Sequence, residues 1–213
     1  MTGPSPTARA LRLHNLRASG ADGVAGLLDR LPDPPWDASL APDDPIAGWL
    51  ERNGFERYAE MTVVARPLEG LGTAMPVLGI ELHPYRSEWA EAFTACEAGA
   101  MEGLATYREL GEPSGFEGQA GRGAFPVALR GERIVGFAQA DLPTGWVNWI
   151  GVSPDERGRG IGRLLLNEVA RAVRASRGTH LAAETEADAP SAGFWKAMGF
   201  RERGRRLLLI RRA

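Results

Sequence analysis

Residues 149–166 read WIGVSPDERGRGIGRLLL. Arginines 157, 159 and 163 are interleaved with glycines 158, 160 and 162, directly ahead of an apolar, helix-forming run. A nucleotide-binding loop of the Walker type would need a Gly-Lys-Ser/Thr end, and Arg163 stands five residues after Gly158 instead. A dinucleotide fingerprint would need its third glycine at position 163, which is again Arg. The pattern that fits is R-x-x-G-x-G, carried by Arg157, Gly160 and Gly162. The first turn of a helix leaves backbone N–H groups without intrahelical partners, and the helix dipole adds partial positive charge there. Glycines let a pyrophosphate reach those N–H groups, and Arg157, Arg159 and Arg163 supply charge-assisted donors around it. Each glycine costs a helix about 0.8–1 kcal/mol relative to Ala, so two of them at its start make sense where something approaches the backbone. The competing reading is a solvated, arginine-bearing helix start.

Outward from this stretch, strands alternate with helices. Residues 145–152 predict a strand, in which Gly151 marks a bulge or a close backbone approach. After the glycines, Ile161, Leu164, Leu165, Val169, Ala172 and Val173 line one face of a helix. HLAAET (180–185) predicts a further strand, APSAGFWKAMGF a short helix closed by Gly199, and RRLLLIRR a last strand. Upstream, Trp89, Phe93, Cys96, Ala100 and Leu104 give an amphipathic helix over 87–110, broken by Gly99 and Gly103. Residues 111–124 read as a loop, and 125–130 with 133–141 as a hairpin turning at Gly131-Glu132. The expected class is α/β (α+β), a mixed sheet covered by helices.

An internal repeat emerges when residues 36–66 are shifted by 145 onto 181–211. Ala38, Asp43, Pro45, Ala47, Gly48, Gly54, Phe55 and Arg66 then meet Ala183, Asp188, Pro190, Ala192, Gly193, Gly199, Phe200 and Arg211. Further upstream the likeness fades. Several matches are common small residues, so chance is the competing explanation. The favoured organisation is a truncated first copy over 1–70, a linker, and a complete domain over 76–213.

Composition narrows the partners. The chain has 213 residues, of which 44% are hydrophobic and 24% charged, and a net charge of −2. That balance gives no overall attraction to nucleic acid or anionic membrane. Cys96 is the only cysteine, which fits a reducing compartment and a buried core position better than a nucleophile. No apolar run approaches the roughly 20 residues of a membrane span. A cytoplasmic protein is expected, with a homodimer left open. No His/Cys/Asp cluster has metal-ligand spacing, so no metal is expected.

WIGVSPDERGRGIGRLLL and the later ETEADAPSAGFWKAMGF together resemble the GCN5-related N-acetyltransferases (the GNAT superfamily) over about residues 80–213. The resemblance implies a GNAT-like, mostly antiparallel sheet flanked by helices, splayed to admit acetyl-CoA. It implies that the backbone of Ile150, Gly151 and Val152 pairs with the pantetheine arm. Residues Arg157, Gly158, Arg159, Gly160, Ile161, Gly162 and Arg163 would then bind the pyrophosphate, and Asp188 and Phe194 would adjoin the cofactor. The implied activity is direct acetyl transfer to a primary amine of a small molecule or peptide.

Two departures bear on the chemistry. Where many family members place a general-acid tyrosine, this chain has Trp195, whose indole N–H donates a hydrogen bond but is no acid near neutral pH. The strand before the glycines offers only Asn148 where an acid would be expected. Glu184 and Glu186, two apart on one strand face, are candidate bases working through water; a solvated strand end is the plain alternative. Asp141, His83 and His180 are weaker candidates, and His14 lies in the first copy. Phe116 and Glu117 of the 111–124 loop, with Trp146 and Trp149, could border the acceptor. The alternative function is a non-catalytic acetyl-CoA-binding or scaffolding module.

Overall fold

The computed structural model describes residues 11–13, 25–26, 36–73, 75–110 and 123–212. Strands β1 (Leu11–Leu13) and β2 (Trp36–Leu40) lead through helix α1 (Pro45–Arg52) to the long β3 (Glu56–Pro67). A strap, described over residues 68–73 and 75–80, precedes β4 (Glu81–Pro84), followed by α2 (Ala90–Met101) and α3 (Ala105–Leu110). Then come β5 (Gly123–Ala124), β6 (Pro126–Arg130), β7 (Arg133–Asp141) and β8 (Trp146–Val152). Helix α4 (Ile161–Ala175), β9 (His180–Glu186), α5 (Ser191–Ala197) and β10 (Arg201–Arg211) complete the chain. The strands form one sheet in the order β1-β2-β10-β3-β9-β8-β7-β6-β4, with β5 paired to β7.

The helices cover both faces. On one, α4 buries Ile161, Leu165, Leu166, Val169, Ala170 and Val173 against Val135, Ala138, Val147, Leu181 and Ala183. The buried stripe is turned slightly from the expected one: Leu164 and Ala172 sit at its half-exposed border. On the other face Phe93, Cys96 and Met101 of α2 pack against Phe125, Val127 and Phe137. The expected single break at two glycines resolves to one. Gly103 adopts φ +86° between α2 and α3, whereas Gly99 stays inside α2. Residues 123–124, expected in a loop, pair with Asp141 and Ala140; the rest of that loop, with Phe116 and Glu117, lies outside the described residues, as does His14.

Strand β8 decides where a cavity can form. Its bulge is at Asn148, since Gln139 pairs with Trp149 and the next ladder pair is Ala140 with Val147. Gly151 instead marks close approach, as a Cβ there would stand 2.8 Å from the Phe137 ring and 2.9 Å from Ala100. A bulge bends its strand and increases local twist. Accordingly β8 and β9 pair in parallel only at Trp146–Ala182 and Val147–Ala183. Beyond them Trp149–Val152 pair only with β7, and Glu184–Glu186 only with β3. The sheet is open between these strand ends.

The register around β3 follows the 145-residue shift pair by pair. Met61 faces Arg206, its own counterpart, and Thr62–Arg205 is mirrored by Glu60–Leu207. Irregularities fall symmetrically at the counterparts Tyr58 and Arg203. The pairs from Leu40–Leu207 to Trp36–Arg211 are mirrored by Thr62–Thr185 to Arg66–Leu181. An approximate two-fold axis therefore crosses the sheet at Met61 and Arg206, and each unit's second strand lies inside the other unit's strand pair. β1 also runs parallel to β2 as β8 does to β9, so the strand correspondence continues one strand further upstream than the sequence likeness.

Candidate functional site

The glycine-arginine loop is shaped by backbone geometry before any ligand enters. Gly158 and Gly160 have φ of +75° and +86°, left-handed values that cost an L-residue about 1–2 kcal/mol. Gly160 is the N-cap of α4. The N–H groups from Gly158 to Arg163 find no acceptor among the described residues; the next one, of Leu164, bonds the Gly160 carbonyl at 3.0 Å. A Cβ on Gly162 would sit 3.2 Å from the Phe194 ring, which brings α5 against the loop. A diphosphate fits such a run of unsatisfied donors at the positive end of a 15-residue helix.

The three arginines take different positions. Arg157 donates to the carbonyls of Val152 (3.2 Å) and Ala100 (3.0 Å), so it braces the loop against β8 and α2. Arg159 lies 3.6 Å from Glu156. Arg163 is exposed and has no ion-pair or hydrogen-bond partner for its guanidinium among the described residues.

Sequence reasoning missed the anchor of this loop. Glu156 is 4% exposed. Its carboxylate accepts from Arg130 Nε (2.8 Å) and Nη2 (3.0 Å) and from Arg133 Nη2 (3.0 Å). These bonds, led by Arg130, hold the Glu156 carboxyl below its ordinary range against the opposing effect of burial. The lone signal was an acidic pair, Asp155-Glu156, in a segment otherwise read for its arginines. A depressed folded-state pKa gives stability that is present above the unfolded value and lost as pH falls through the folded one. Glu156→Gln is therefore expected to lower Tm at pH 7 and to flatten its fall toward acid, read from thermal melts at successive pH values. An unchanged slope would show that the anchor does not titrate with folding. Asp155, held low by Arg133, leaves a residual slope in the variant.

The candidate catalytic groups are not brought together. Glu184 and Glu186 lie on the α2/α3 side of β9, beside the opening. Glu184 Oε1 pairs with Arg206 Nε at 3.0 Å. Glu186 is fully engaged: Oε2 accepts from Ala105 N–H (3.1 Å), and Oε1 from Thr106 N–H (2.6 Å) and Oγ1 (2.7 Å). It caps α3 from another element, a placement at odds with a free base. Trp195 is 3% exposed in the core on the opposite face, 5.2 Å from the Phe194 ring and 4.7 Å from that of Phe200. Its indole serves packing there. Asp188 is exposed in the turn before α5.

On the open side, Asn148 Nδ2 donates to Gln139 Oε1 at 2.7 Å, and Trp149 packs at the border of the α2 core. His83 lies 3.2 Å from Glu81 on the edge strand β4, and His180 is exposed at the start of β9, both away from the opening. Among the described residues no group of three or more His, Cys, Asp or Glu is placed to hold a metal, and no helix is long and apolar enough to cross a membrane.

A loop of unpaired N–H groups at the mouth of a splayed sheet is the geometry that the resemblance implied. The family model described as acetyltransferase (GNAT) family matches residues 83–200. This chain belongs to the GNAT family.

Membership makes it an N-acetyltransferase by class, and acetyl-CoA is the usual donor in that family. The chain is similar to mycothiol acetyltransferase of Catenulispora acidiphila, with 28% identity over 93% of this chain and 70% of that protein. Among solved structures it shares its fold with a GCN5-related N-acetyltransferase from Sphaerobacter thermophilus, at a TM-score of 0.58 and 18% identity. That match covers 91% of this chain and 65% of the other, so the chain spans under two thirds of that protein's length. It also shares its fold with a tandem GNAT protein from the clavulanic acid biosynthesis pathway, at a TM-score of 0.62 and 18% identity over 92% of this chain and 69% of that one.

Proposed function

We propose that this GNAT chain binds acetyl-CoA and transfers the acetyl group directly to a primary amine of a small molecule or peptide. The run of unpaired N–H groups from Gly158 to Arg163, at the mouth of the β8–β9 opening, carries the reading. The pyrophosphate would rest on those groups, and the pantetheine arm would enter along Ile150, Gly151 and Val152, whose β9-facing edge has no strand beside it. In the transfer, the amine lone pair attacks the thioester carbonyl, the C–S bond breaks, the thiolate takes a proton and the new amide nitrogen loses one. Glu184 is the carboxylate on the open face suited to receive that proton through water, because both Glu186 oxygens already accept hydrogen bonds. Similarity to an enzyme named for acetylating mycothiol favours a small-molecule acceptor. The same reading takes residues 1–70 as a degenerate partial copy whose last strand completes the sheet of 76–213.

Wild-type protein at about 100 times Kd of acetyl-CoA should gain roughly 2.7 kcal/mol, about 5–10 °C in Tm for a chain of this length. A screen of amines for release of free CoA follows. A folded protein showing no shift would sink the proposal. A shift with no CoA release from any amine would favour a non-catalytic acetyl-CoA-binding module, a reading that the buried Trp195 and the engaged Glu186 also support.

A further inference from the structure

Three polar side chains form a line from β7 to the start of the opening. Gln139 is 0% exposed. Its Nε2 donates to Asp141 Oδ1 at 3.5 Å, and its Oε1 accepts from Asn148 Nδ2 at 2.7 Å. Bare backbone closes over it, since a Cβ on Gly123 of β5 would stand 3.2 Å from Nε2.

Two facing amides can pair in either sense, because each carries a donor and an acceptor. The Asp141 carboxylate decides between them. It only accepts, so Gln139 turns its NH2 toward Asp141 and its carbonyl toward Asn148. Reversing both amides would set the Gln139 oxygen against the carboxylate, in a place where no water reaches it. Asn148 must therefore spend Nδ2 on Gln139, and Oδ1 is the atom it presents. Among the described residues nothing donates to that oxygen.

The register puts this oxygen beside the candidate base. Val147–Ala183 is the last β8–β9 pair, so Asn148 and Glu184 are the first residues beyond it on either side of the opening. Both are half-buried. Gln139 alternates with Phe137 of the α2 core along β7, which places the Asn148 amide on the same face of the sheet as Glu184.

We infer that Asn148 Oδ1 accepts an N–H from the acceptor amine, and that Gln139 and Asp141 are positioning residues that aim it. This rests on the proposed acetyl transfer. A primary amine has two N–H groups and a lone pair. One N–H goes to Asn148 and stays in the product amide; the other proton is the one lost through water toward Glu184; the lone pair attacks the thioester. A secondary amine lacks one of these N–H groups, and a site built to bind an N–H rejects the analogue without it. Asn148, standing where an acid was expected, thus selects primary amines without serving as a base.

The test needs no knowledge of the natural acceptor. Two CoA thioethers are titrated calorimetrically, one ending in S–CH2–CO–NH–CH3 and the other in S–CH2–CO–N(CH3)2, with CoA itself as the control. Wild type should bind the N–H compound about tenfold more tightly, the scale of one hydrogen bond and the buried group it satisfies. Asn148→Leu, of similar size, should bring the ratio close to one. Asp141→Asn is isosteric but can donate as well as accept, so it should lower the ratio part-way. CoA should bind all three proteins alike. Equal affinities in wild type, or a ratio that survives Asn148→Leu, would overturn the inference and leave the acetyl-CoA reading standing. If Asn148→Leu does not fold, an unchanged ratio in Asp141→Asn overturns it instead. Binding of none of the three compounds by folded wild type would remove the acetyl-CoA reading and this inference together.

Discussion

A chain beginning at residue 68 is expected not to fold, although it contains the whole segment that the family model matches. It lacks β3, which lies between β9 and β10 and pairs with both along most of its length. Without it those two strands expose unpaired ladder groups on facing edges. Unpaired backbone groups away from water each cost on the order of a hydrogen bond's worth of free energy or more. The main core also loses Val64, and the second core, built from Trp36, Ala38, Ile46, Leu50 and Phe55 around Leu207 and Leu209, loses all but the two leucines. A domain's net stability of about 5–15 kcal/mol does not survive losses of that kind. Urea unfolding monitored by circular dichroism should show no cooperative transition for 68–213, and adding a fragment spanning 36–67 should restore one. A sharp transition in 68–213 alone would mean that β10 can move over to pair directly with β9, and that the exchange is dispensable.

Gly160→Asp is expected to abolish acetyl-CoA binding while the protein remains folded. Two effects act together. A side chain at φ +86° is strained by about 1–2 kcal/mol, and aspartate tolerates that region better than most residues. Its carboxylate would also stand among the N–H groups from Gly158 to Arg163, where it would compete with the ligand and repel it. The acetyl-CoA-induced rise in Tm should vanish, corresponding to at least a hundredfold loss in affinity, while the ligand-free Tm falls by only a few degrees. Gly160→Ala separates the causes: it keeps the strain without the charge and should retain part of the shift. A full shift in Gly160→Asp would show that the ligand's phosphates lie elsewhere.

The two expectations differ in how far the sequence anticipated them. The glycine loop was legible because its determinants are local. A strand, two glycines and a helix start within a dozen residues set the N–H groups by chain geometry alone, and the left-handed angles at Gly158 and Gly160 give the glycines a second, equally local reason. Glu156 was missed because its importance comes from Arg130 and Arg133 on a hairpin more than twenty residues away. The same holds for Glu186. Its spacing from Glu184 placed both on one face correctly, but nothing nearby in sequence announces that α3 would draw its carboxylate. Trp195 was read by its position in a motif, and its burial against Phe200 follows from how α5 packs on the sheet.

What the sequence determined by itself was the class of fold, the glycine-rich turn into a helix, and the matched residues that relate 36–66 to 181–211 at a constant shift. Each is written in short-range pattern: apolar periodicity, glycine placement and matched residues at a constant shift. Only the tertiary structure decided which strands the repeated units would share. Two similar strand–helix–strand units present nearly equivalent edges, so β3 can in principle lie beside its own unit's strand or inside the other's. Local preference is the same in both arrangements. The choice is made by long-range pairing and by the cores that form when β3 enters between β9 and β10, terms that appear only once the whole sheet is assembled.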